Sequence, residues 1–234
     1  MLRPPAPFTV NLKLWGSDMS DNLNIWNVLG KTDPAHTKGF SRAGGFKGTA
    51  LKPMWAIKQL TEQFGPVGMG WGTGEPRFEL VHGQDGEVLV YCTVSVWHTC
   101  RDNVSWGVGG DKAIAKNKNG LFHDDEAFKK AFTDATMNGF KSLGVGADIH
   151  MGQFDDNKYV AQMEREFAAK EVDAQAEIDR QLMAAIEACD TPEELGEWSA
   201  KHGQQCGESP NVKTIRAAYK ARLDKINNQQ KKAA

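Results

Sequence analysis

Residues 77–97 read RFELVHGQDGEVLVYCTVSVW, and residues 103–108 read NVSWGV. β-Branched and aromatic side chains crowd three runs, 77–82, 87–97 and 103–108. Gly83-Gln84-Asp85-Gly86 between the first two is a hairpin signal. The simplest arrangement is a three-stranded antiparallel meander. Working outward, the period becomes helical. Upstream, residues 53–64 (PMWAIKQLTEQF) put Trp55, Ile57, Leu60 and Phe64 along one stripe, with Pro53 suited to a first turn and Gly65-Pro66 as a stop. Residues 22–30 predict a short helix closed by Gly30. Between the two helices, residues 31–49 are polar, glycine-rich and basic, and read as a loop or a β-hairpin. Residues 65–74 read as a glycine-rich turn or an irregular strand.

Downstream, residues 111–120 read as a basic loop. Residues 124–143 predict a helix with Phe128, Ala131, Phe132, Ala135, Met137 and Leu143 mostly on one face, weakened by Gly139. Residues 144–157 are a connector. A long charged helix follows over 158–188, with a sparse stripe through Met163, Phe167, Val172, Ile178, Leu182 and Ile186. Thr191-Pro192-Glu193-Glu194 starts a second, short helix, and a third spans 211–227. The fold class is therefore α+β: an antiparallel β-meander packed on helices, with an all-helical C-terminal region. The expected division is an N-terminal arm over 1–20, carrying Pro4, Pro5 and Pro7, a core over 21–157 and a helical region over 158–234.

The composition excludes several classes. At 234 residues, 40% hydrophobic and 25% charged, the chain reads as globular rather than disordered or fibrous. No run of eighteen apolar residues exists, so no membrane span is expected. The opening MLRPPAPFTVNL has no apolar core of a secretory leader. Cys92, Cys100, Cys189 and Cys206 lack paired spacing and read as reduced thiols, which points to a cytoplasmic protein. The net charge of −2 hides an asymmetry: residues 155–208 are strongly acidic, and residues 209–234 strongly basic.

Most short motifs fail on context. Gly30-Lys31-Thr32 lacks the upstream glycine and the strand of a phosphate loop. The glycines of 65–72 precede a strand rather than opening a helix, so a dinucleotide site is not supported. Cys92, His98 and Cys100 match no zinc spacing, and no metal is expected. Asp124, Asp125 and Glu126 sit where acidic residues favour a helix start. The segment 31–58 is more suggestive. Lys31, Lys38, Arg42, Lys47, Lys52 and Lys58 are spread among glycines, and Phe40 and Phe46 are suited to stacking on bases. A solvated loop with ordinary surface lysines is an equal reading of those residues alone.

The order of elements resembles the Rad-fifty-two family of single-strand annealing proteins. A short helix precedes Arg42-Ala43-Gly44-Gly45-Phe46-Lys47; a helix ends in Thr61-Glu62-Gln63-Phe64-Gly65; Gly70-Trp71-Gly72 follows. The meander ends at Trp106-Gly107-Val108-Gly109. Then come Lys129-Lys130-Ala131-Phe132-Thr133-Asp134-Ala135 and Phe140-Lys141-Ser142-Leu143-Gly144. The resemblance covers roughly residues 20–160, and the small size looks like that of a phage or prophage recombination protein acting in the bacterial cytoplasm.

The resemblance implies a β–β–β–α core, ring or filament homo-oligomers, and a cationic groove that holds single-stranded DNA by its backbone. It also implies ATP-independent annealing in recombination and repair, with no cofactor and no catalytic residue. Lys141 matches a DNA-contacting position, whereas Met137 and Asn138 stand where the eukaryotic pattern is basic. Arg42 and Lys47 fall in the basic segment, with Lys38 a neighbour; Lys112, Lys116 and Lys118 fall near an outer DNA contact region. The helical region would bind a host single-strand-binding protein or a partner exonuclease, pack on the core as a solubilising appendage, or add DNA affinity. Two other classes remain open: a metal-dependent nuclease or nucleotidyl transferase using Asp124, Asp125 or Asp134, and an oligomeric phage structural protein that binds no DNA.

Overall fold

The computed structural model describes residues 22–41 and 44–233. The expected arm over 1–20 and Arg42 lie outside the described residues. The chain forms two compact units, one up to Met163 and one from Glu164 onward. It is a mixed α+β protein with an antiparallel sheet and C-terminal helices.

In the first unit the expected meander is present and larger. Strands β3 (Trp71–Thr73), β4 (Arg77–His82), β5 (Val88–His98), β6 (Cys100–Asn117) and β7 (Gly120–His123) form one antiparallel sheet. β6 pairs along one edge of β5, while β3 and β4 share the other. The ladder continues between them through Gly74, whose N–H donates to Ser95 O at 2.9 Å. Residues 111–120 are not a loop. β6 takes them up to Asn117, Lys118 and Asn119 form the turn, and Ile114–Asn117 pairs with β7. The segment 31–49 resolves as the hairpin alternative: β1 (Thr37–Ser41) pairs with β2 (Lys47–Leu51).

Helices α1 (Asn24–Leu29) and α2 (Pro53–Phe64) stand where the sequence puts them. Pro53 occupies the first turn of α2, and Gly65 stops it at φ 97°, a conformation open to glycine. Their apolar sides meet Trp71, Val96 and Phe140 in one core cluster, with Leu29 and Leu60 fully buried. Burying each such side chain contributes about 1.5–3 kcal/mol.

Helix α3 (Ala127–Lys141) sets the geometry of everything that follows. It buries a stripe of small residues, Ala127, Ala131, Ala135 and Gly139, against β5 and β6. Gly107 and Gly109 of β6 answer it. A Cβ on Gly107 would lie 1.9 Å from Ala135 O, and one on Gly109 2.1 Å from Ala135 N. Helix and sheet therefore touch backbone to backbone. Ser105 Oγ donates to Gly139 O at 2.9 Å, and Asn138 Nδ2 donates to Val108 O at 2.7 Å. The Gly139 that weakens the helix by propensity is what lets it seat.

A short helix α4 (Ala147–His150) follows, and then α5 (Asn157–Glu187), which runs into the second unit. The first turns of α5 belong to the first unit: Met163 is buried, and Tyr159 OH donates to Asp148 Oδ2 at 3.0 Å. The division thus falls six residues beyond the expected 157, as Met163 closes the first unit.

The second unit is more than an appendage of single helices, because it has its own core. α5 packs with α6 (Pro192–Glu208) and α7 (Val212–Ala233) through Leu182, Ile186, Leu195, Trp198, Ile215 and Ile226. α6 is longer than the short helix expected. Thr191 caps it, accepting from Glu194 N at 3.2 Å. Buried Asp179 accepts from Asn211 Nδ2 at 2.7 Å, Ser209 Oγ at 2.8 Å and Gln175 Nε2 at 2.9 Å, which pins α5 to the α6–α7 turn. Those bonds, Asn211 first, hold its carboxyl below the usual range. Arg222 Nε donates to Cys189 O at 2.8 Å near the end of α5. Among the described residues, no helix is long and apolar enough to cross a membrane.

Candidate nucleic-acid interface

A groove of about 770 Å³ opens in the first unit between the β1–β2 hairpin, α3 and the α4 segment. Each wall has a local reason. The hairpin contributes Lys38 from β1 and Lys47 from β2, at the ladder positions Lys38–Ala50 and Ser41–Lys47. α3 turns its small residues to the sheet, so Lys130, Asp134, Met137 and Lys141 follow one another along the opposite, groove-lining side. The α4 segment contributes His150 and Phe154.

The third wall is held by a buried carboxylate. Asp148 is 1% exposed and accepts from Thr32 N and Thr32 Oγ1, both at 2.7 Å, from Ile149 N at 2.8 Å and from Tyr159 OH. A buried acid with this many donors is satisfied. It also explains Thr32: its N–H and hydroxyl serve Asp148, not a phosphate loop.

Aromatic rings line the hairpin side. Phe40 and Phe46 stand 6.1 Å apart, tilted by 50°, and Phe46 is 59% exposed. Both lie over Gly48, where a Cβ would come within 2.8 Å of the Phe40 ring. A side chain at 48 would force the Phe40 ring to shift.

The structure thus brings Lys38, Lys47 and Lys141 together, and all three are exposed. Among the described residues, no carboxylate pairs with them. Lys129 and Lys130 also line the groove, but Lys129 is paired with Glu126, and Lys130 with Asp124 at 2.5 Å. The Lys130 ammonium holds the Asp124 carboxyl below its usual range. Lys112, Lys116 and Lys118 are elsewhere, on β6 and the turn after it. Lys112 Nζ lies 3.1 Å from Glu87 Oε1, and Lys116 Nζ 3.1 Å from Asp85 Oδ2. The Lys112 ammonium, and then the Lys116 backbone N–H, hold the Glu87 carboxyl low.

Sequence reasoning missed Lys129, Lys130, His150 and Phe154. Lys130 had a signal, since it lies eleven residues before Lys141 and so on the same helix face. His150 and Phe154 had none, because their wall depends on the long-range Thr32–Asp148 contact. Two of the three carboxylates weighed for metal chemistry, Asp124 and Asp134, have other tasks. Asp124 Oδ1 accepts from Glu126 N at 2.9 Å ahead of α3, and Asp134 Oδ2 accepts from Gly110 N at 3.3 Å. Cys92 is buried against α3 in mid-strand, whereas His98 and Cys100 flank the β5–β6 turn. Among the described residues, no three His, Cys, Asp or Glu side chains converge.

No protein-family model matches the chain, and no curated protein matches it either.

Proposed function

We propose that the groove binds single-stranded DNA and that the protein anneals complementary strands without nucleotide, in the manner of the Rad-fifty-two family. One observation carries the reading: three lysines, from β1, β2 and α3, line one groove beside the exposed Phe46 ring, and no described carboxylate forms an ion pair with them. Such a groove attracts phosphates through counterion release. Phe46 offers a platform for a base. With the backbone held, the base edges stay open for a second strand to test pairing. No bond is made or broken, so no catalytic group is needed.

A homo-oligomer is part of the same proposal. The sheet face turned away from α3 exposes Tyr91, Val104, Trp106 and Val108, with Trp106 61% exposed. An apolar row of this kind favours covering by another protein surface, and a ring or filament multiplies weak strand contacts. In the second unit, Lys213, Arg216 and Lys220 are exposed at helical spacing on α7, a surface suited to an acidic partner such as a host single-strand-binding protein or an exonuclease. The setting is the cytoplasm of a bacterial host.

The test is annealing of two complementary labelled oligonucleotides in EDTA without nucleotide. Acceleration that weakens with salt and drops in Lys141→Ala is the expected result. No acceleration and no single-strand binding at low salt would remove the reading.

A further inference from the structure

Among the described residues, His150 is the one histidine that lines the groove. It sits at the end of α4, which Asp148 fixes through Thr32 and Tyr159. His150 is exposed, and the wall behind its ring desolvates it only in part. We propose, on the reading of this groove as a phosphate-binding channel, that His150 is a proton-gated contact. It takes up one proton from solvent when a phosphate enters beside Lys141, so single-stranded DNA is held more tightly in mildly acidic solution.

The charges around the ring decide the sign. α3 presents Lys141 to it, with Asp134, Lys130 and Lys129 on earlier turns. The hairpin presents Lys38 and Lys47. Its own segment supplies Asp148, which is spent on four donors, and Asp155. Burial pushes the imidazole below its ordinary value, the Lys141 charge adds to that, and Asp148 opposes it. A phosphate reverses the balance: it offsets the Lys141 repulsion and accepts a hydrogen bond from the imidazolium. The bound form therefore titrates at higher pH than the free form. Affinity climbs as pH falls through the bound value and levels off below the free one. One linked proton gives at most about tenfold per pH unit. An ordinary imidazole titrates inside this window, and the His150 variants separate its contribution from that of any other group.

The experiment is anisotropy of labelled oligothymidine with the full chain at fixed salt, from about pH 8.5 to about pH 5.5. Calorimetry in two buffers of different ionisation enthalpy counts the protons taken up. The wild type should tighten several-fold on acidification and take up a proton. His150→Gln should keep the high-pH affinity throughout and lose the uptake. His150→Lys should bind at the acid-form level at every pH, with circular dichroism confirming that both variants fold. A His150→Gln variant that keeps the slope and the uptake overturns the proposal, as does a His150→Lys variant that gains nothing at high pH. A wild type that binds with no pH dependence overturns the proton gate alone, whereas absence of binding at every pH overturns the groove reading with it.

Discussion

The first unit carries two groups of lysines that a charge count treats alike, and they are in opposite states. Lys38, Lys47 and Lys141 line a groove in which no described carboxylate forms an ion pair with them, although Asp134 and Asp155 line it too. Lys112 and Lys116 lie on the far part of β6, each 3.1 Å from a carboxylate of the β4–β5 turn. A phosphate reaching the first group meets unpaired cations. One reaching the second must first displace Glu87 and Asp85. Each exposed pair is worth only about 0–1 kcal/mol, but its displacement cancels much of what a new phosphate contact would add. Availability of charge, rather than its amount, separates a binding surface from a solvated one.

The largest effect should come from emptying the groove. Replacing Lys38, Lys47 and Lys141 together by Ala should weaken single-strand binding by about a hundredfold or more at low salt. The log–log salt slope should flatten by about 2, or ~0.7 per lost contact. Next is Gly107→Ala, which sharpens the comparison by moving one region and not the other. Its Cβ would meet Ala135 O, so α3 must lift, at a cost of about 1–3 kcal/mol in thermal denaturation. Groove binding should fall while the Lys112–Glu87 pair, which does not involve α3, survives. Phe46→Ala should cost about 1–3 kcal/mol of single-strand affinity and leave the salt slope unchanged, because stacking releases no counterion. The smallest effect is a gain. Asp85→Asn with Glu87→Gln should free Lys112 and Lys116 and raise affinity about two- to threefold, whereas Lys112→Ala with Lys116→Ala should change it by less than about twofold.

The sheet was legible where alternation is dense, as in β4 and β5, and α2 was legible from its Pro53 and Gly65 punctuation. Residues 111–120 misled because Gly110, Asp111, Lys112 and Asn117 have loop chemistry, yet the segment is paired on both sides, with β5 and β7. Gly107, Gly109 and Gly139 carried no helix or strand preference. Their use, backbone contact between α3 and β6, appears only in three dimensions. Much the same holds for the site. Lys38, Lys47 and Lys141 were visible as basic residues, but that they line one groove depends on how the hairpin and α3 come together. The pairing of Lys112 and Lys116 with the β4–β5 turn follows from the β5–β6 register, which places Val88 opposite Ile114. His150 depended on a hydrogen-bond cluster that spans more than a hundred residues.

The central claim is that the groove lysines, and not those of the β4–β5 turn, face the phosphates. The direct measurement is the salt dependence of single-strand affinity in three proteins: wild type, the Lys38/Lys47/Lys141→Ala variant and the Lys112/Lys116→Ala variant. The account predicts a steep wild-type slope, a slope flattened by about 2 in the groove variant and an unchanged slope in the other. Equal slopes in wild type and groove variant, or a flattening confined to the Lys112/Lys116 variant, would contradict it.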